Sequence, residues 1–91
     1  MVDFHSLRKE IDEQLDKCDL FFQEHKIFVH MYVYFIIWQK QLENKKYNFR
    51  IEPTEKGNIM IDIISSRKRL KAIEITKQKI KRHAKEYELF D

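Results

Sequence analysis

Between Phe4 and Asn44 the chain runs for 41 residues with neither glycine nor proline, and its 91 residues hold only one of each. With so little to break the backbone, long regular elements are required. Apolar positions in this stretch step by threes and fours, through Phe4, Leu7, Ile11, Leu15, Cys18, Phe22, Val29, Tyr32 and Ile36. That is the helical period. The segment Ile27–Trp38 is apolar on every side except at His30, which predicts burial on more than one face. The spacing predicts helical material over 3–45, as one rod or as two helices broken near Asp16–Glu24. Ile27–Trp38 is also rich in strand-forming residues, so a strand competes there. Its flanks, Gln23–Lys26 and Gln39–Glu43, lack turn chemistry and favour the helix.

The period changes to two over 47–64. Tyr47, Phe49 and Ile51 alternate with polar residues, as do Ile59, Ile61 and Ile63, around a turn bounded by Pro53 and Gly57. A β-hairpin is expected, with Ile51 opposite Ile59, Phe49 opposite Ile61 and Tyr47 opposite Ile63. Ser65 and Ser66 then offer an N-cap, and a helix is expected over 66–88 with an apolar stripe of Leu70, Ile73, Ile80, Ala84 and Tyr87. The fold class is α+β and mostly helical, in one domain over 1–91.

Charge divides the chain. Residues 1–43 carry five Lys/Arg against eight Asp/Glu, net −3, and residues 44–91 carry thirteen against seven, net +6. On a helix, Arg67, Lys71, Arg82 and Lys85 share one sector, widened by Lys68 and Lys79, in a ladder about 27 Å long. Arg50, Lys56, Lys45 and Lys46 extend it. A basic ladder of this length suits a nucleic-acid backbone or a nucleoprotein. An acidic protein surface is the other partner such a ladder fits, as in a small phage- or mobile-element-type inhibitor or adaptor that occludes a host protein. Asp12, Asp16 and Asp19, at i, i+4 and i+7, offer an internal partner for the same charges.

Nothing in the sequence assembles a catalytic centre. His25 and His30 stand five apart, about 140° around a helix, too divergent to share a metal ion. Cys18 is about 10 Å along a helix from His25 and reads as a small buried hydrophobe. Glycine-rich phosphate loops, Cys-x-x-Cys pairs and nucleophile elbows are all missing. No catalytic residue, metal or cofactor is therefore expected. A lone cysteine fits a reducing, cytoplasmic setting. The longest apolar run, twelve residues, falls short of the roughly 20 that a bilayer span needs. Phe28, Tyr32, Phe35 and Trp38, on the segment that is apolar all round, are expected to bury against the rest of the chain or against a second copy in a homodimer.

Overall fold

The computed structural model describes residues 3–43 and 46–88. Three helical segments lead: α1 (Phe4–Leu15), α2 (Leu20–Glu24) and α3 (Lys26–Gln41). A three-stranded antiparallel meander follows, β1 (Asn48–Pro53), β2 (Ile59–Ser65) and β3 (Lys68–Ile75), and α4 (Lys77–Glu88) closes the chain. The class is α+β and mostly helical, as the periodicities indicate. Ile27–Trp38 is helical throughout.

The N-terminal rod is broken where its aspartates stop it. The Asp3 carboxylate accepts from the His5 amide at 3.0 Å to start α1. The Asp19 carboxylate accepts from the Phe21 amide at 2.9 Å to start α2. Each satisfies an amide that has no partner within its helix. His25 ends α2 and precedes α3 with φ −109° and ψ 30°, outside helical geometry, so α3 sets off in a new direction.

The first hairpin forms in a register two residues from the expected one: Ile51 faces Ile61, Phe49 faces Ile63 and Pro53 faces Ile59. The tighter turn explains the shift. The Thr54 amide donates to the Asn58 carbonyl and the Gly57 amide to the Thr54 carbonyl, each at 2.9 Å. Gly57 takes the left-handed φ of +80° that closes such a loop without a Cβ penalty. A two-residue slip preserves which side chains face the core.

The second half departs further from expectation. Residues 66–75 are not helical, and the helix over 66–88 is replaced by a turn, β3 and the shorter α4. Ser65 pairs with Lys68, so Ser66 and Arg67 form a two-residue turn in which both take left-handed φ values, +50° and +66°. Ile73 and Ile75 then lie opposite Ile61 and Ile59. Leu70 is an extra residue, since Ile63 faces Lys71 while Ile64 faces Arg69. This bulge makes the Leu70–Ile73 spacing look helical. The true cap is Thr76: its hydroxyl oxygen accepts from the Lys79 amide at 3.3 Å. Ile75 before it and Ile80 after it are both buried, in the positions of a hydrophobic staple.

The core lies between the helices and one face of the sheet. Leu7, Ile11 and Leu15 of α1, Phe22 of α2, Val29, Val33 and Ile37 of α3, and Ile80 of α4 meet Ile51, Ile59, Ile61 and Ile75. All are 6% exposed or less, so each contributes on the order of 1.5–3 kcal/mol of burial. The β1–β2 turn is tied to the helices by the Asp19 amide, which donates to the Gly57 carbonyl at 2.9 Å.

Candidate functional site

Strand alternation fixes what the sheet presents on the face away from the core. Three cross-strand rows lie there: Asn48–Ile64–Arg69, Arg50–Asp62–Ala72 and Glu52–Met60–Glu74. Charge is graded along these rows, with arginines towards the β2–β3 turn and carboxylates towards the β1–β2 turn. At the basic end an open hollow of about 700 Å³ is lined by Asn48, Arg50, Arg67 and Arg69, with Ile64, Phe49, Asp62 and Glu10 completing it. Lys68 and Lys71 are exposed on β3 but pair with Ser65 and Ile63, which puts their side chains on the opposite face of the sheet, and exposed Lys46 precedes β1.

Asp62 is the one buried acid of this face, at 5% exposure in the middle strand. Its Oδ1 has no hydrogen-bond partner, and the nearest cation is the Arg69 guanidinium at 3.7 Å. An uncompensated buried carboxylate oxygen is costly, so it draws in any donor within reach. Here it holds Arg69 over the sheet. Arg50 is held similarly, 3.6 Å from Glu52. Both guanidinia stay more than half exposed, so each retains donors for an outside acceptor.

Of the expected contacts, Arg50 and Arg67 are thus brought together, at one end of a sheet rather than on a helical ladder, while Lys68 and Lys71 project from the sheet's other face. The other expected contacts are separated from them. Lys56 sits in the β1–β2 turn, about 20 Å away at the far end of β2. The Lys79 ammonium donates to the Glu74 carbonyl at 2.6 Å, and Arg82 and Lys85 are exposed on α4. The 27 Å ladder therefore does not exist, because its first half is strand. Lys45 and the side chain of Tyr87 lie outside the described residues. Arg69, Asn48 and Asp62 were not singled out from the sequence. The alternation of Ile73 with Ile75, and an acid set between Ile61 and Ile63, were the signals that pointed to them.

Two of the three carboxylates of the acidic stripe, Asp12 and Asp19, are paired within the fold, and Asp16 is exposed. Partial burial works against ionisation of Asp12, but hydrogen bonds from His30 (2.8 Å) and Lys26 (3.3 Å) outweigh it and hold its carboxyl below the usual range. The Lys77 ammonium, donating to Asp19 at 2.9 Å, lowers that carboxyl too. Asp19 thus reaches α4 through Lys77, which is not one of the ladder residues, and Asp12 pairs with α3 instead. Burial pushes the Cys18 thiol up, and its Sγ donates to the Gln14 carbonyl at 3.2 Å, an environment opposed to a nucleophilic thiolate. Among the described residues no group of three His, Cys, Asp or Glu side chains could hold a metal ion.

On α3, the side chains expected to mediate self-association divide. Phe35 and Trp38 point outward and are exposed, whereas Phe28 and Tyr32 pack partly against the core, Tyr32 edge-on to His83 with ring centroids 5.3 Å apart. Among the described residues no helix is long and apolar enough to cross a membrane. Comparison with protein-family models, curated proteins and solved structures finds no match to this chain.

Proposed function

We propose that this is a non-enzymatic, cytoplasmic binding protein that grips a nucleic-acid backbone with the basic end of its sheet. The observation that carries the reading is the convergence of Arg50, Arg67 and Arg69 on one open hollow. Planar guanidinia match phosphate oxygens two bonds at a time, and a two-stranded ribbon with a cationic tip is narrow enough to enter a groove. Contacts of this kind set register and affinity but carry no base identity. The protein therefore binds many sequences similarly, as an accessory or regulatory factor.

Charge reversal tests it. Fluorescence anisotropy with labelled single-stranded and duplex oligonucleotides is expected to show binding that Arg67→Glu with Arg69→Glu weakens at least tenfold on every sequence. Arg82→Glu, on α4, serves as the control and changes affinity only slightly. Failure of the wild-type chain to bind any oligonucleotide at low salt would sink the reading, leaving the same cations to an acidic protein surface.

A further inference from the structure

The outward face of α3 is apolar from end to end. Ile27, Phe35, Trp38 and Leu42 are 74, 51, 52 and 65% exposed, and half-buried Met31 sits between the first two. At 100° per residue these five fall within about 80° of arc, opposite the buried Val29, Val33 and Ile37. Met31, Phe35, Trp38 and Leu42 are spaced four, three and four, the alternation of a helix–helix seam. No charged side chain interrupts the stripe. Phe4, 41% exposed, leans edge-on against Tyr34 beside it and widens the patch.

We infer that this face is a homodimer interface, closed by antiparallel packing of α3 against α3 of a second copy. Taking roughly 200 Å² for a fully exposed large side chain, the four exposed residues leave on the order of 500 Å² of apolar surface open. That is at the upper end for a monomer's largest patch and well over half of the about 800 Å² each partner contributes to a stable interface. Phe4, Met31 and the flanking polar residues supply the remainder. An isologous contact needs a self-complementary surface, and this one is uncharged along its length, the end residues Lys26 and Glu43 being paired within the chain to Asp12 and Lys40. Antiparallel pairing also opposes the two helix dipoles.

Trp38 is the only tryptophan in the sequence and lies in the stripe, so it reports on association directly. Sedimentation and Trp emission of the full chain, without nucleic acid, are followed from 1 to 100 μM. The expected result is a mass rising from 11.3 kDa towards twice that value, with a parallel blue shift. Phe35→Glu, and separately Ile27→Glu with Leu42→Glu, which sets like charges opposite each other, should keep a native far-UV spectrum, stay monomeric and show no concentration-dependent shift. Arg67→Glu with Arg69→Glu should dimerise like the wild type, so this inference and the nucleic-acid reading fail separately. A wild-type chain that remains at 11.3 kDa with unchanged emission at 100 μM overturns the proposal, whatever else the stripe then binds.

Discussion

Replacing the β2–β3 turn Ser66-Arg67 with Asn-Gly distinguishes a hairpin from a helix at this position, because the two predict opposite signs. Both residues hold left-handed φ values, +50° and +66°. Such a conformation costs an ordinary L-residue roughly 1–2 kcal/mol. Glycine at 67 removes that cost and gives back about 0.5–1 kcal/mol through its freer unfolded chain, while asparagine at 66 tolerates the geometry. The net expectation is a gain of about 1 kcal/mol. In a domain of this size that raises Tm by roughly 4–8 °C. Within a helix, glycine at 67 would instead cost about 1 kcal/mol. Urea denaturation followed by far-UV circular dichroism measures the difference. A destabilised double variant would refute the turn, and with it the face that gathers the arginines. Because Arg67 is also a proposed phosphate contact, the stabilised variant should bind nucleic acid more weakly. Backbone strain there is the cost of placing a cation at the hairpin tip.

Other consequences follow from the same packing. Val33→Asp, which puts a charge in the core beneath α3, should unfold the chain or cost at least about 4 kcal/mol, whereas Phe35→Glu two residues on should leave far-UV ellipticity intact. Gly57→Ala should cost roughly 1–2 kcal/mol in urea denaturation, since its φ is +80° and a Cβ there meets the Asp19 amide nitrogen at 3.3 Å. Asp12 and Asp19 have carboxyls lowered from 3.8 in the folded chain, so the stability they add is complete above that value and lost as pH falls through their folded values. Asp19→Asn should therefore flatten the stability profile below about pH 4, seen as a smaller drop in Tm between pH 5 and pH 3.

How much of this was legible in the sequence depended on whether each signal was local. The helix over Ile27–Trp38 could be read because its flanks offered no turn chemistry, even though its composition suits a strand. The first hairpin could be read from alternation, but its register was set by Thr54 and Asn58 closing the turn. β3 was missed for three reasons that coincide. Ser65-Ser66 imitates an N-cap, the Leu70 bulge imitates helical spacing, and a left-handed turn built from serine and arginine lacks the usual Asn or Gly. Arg50 and Arg67 are recognisable individually. Their grouping with Arg69 is not, because it depends on Arg50 on β1 and Arg69 on β3 flanking Asp62 on the middle strand.

The proposed phosphate-binding role of the sheet's basic end predicts a steep salt dependence of duplex-DNA affinity, to be measured for the wild type and for Arg50→Ala, Arg67→Ala and Arg69→Ala. Each phosphate contact contributes a slope of about −0.9 in log K against log salt. If all three arginines engage, the wild-type slope should be on the order of −3, and each alanine variant should reduce its magnitude by about 1. A slope near zero, or one unchanged by any of the three substitutions, would contradict the account.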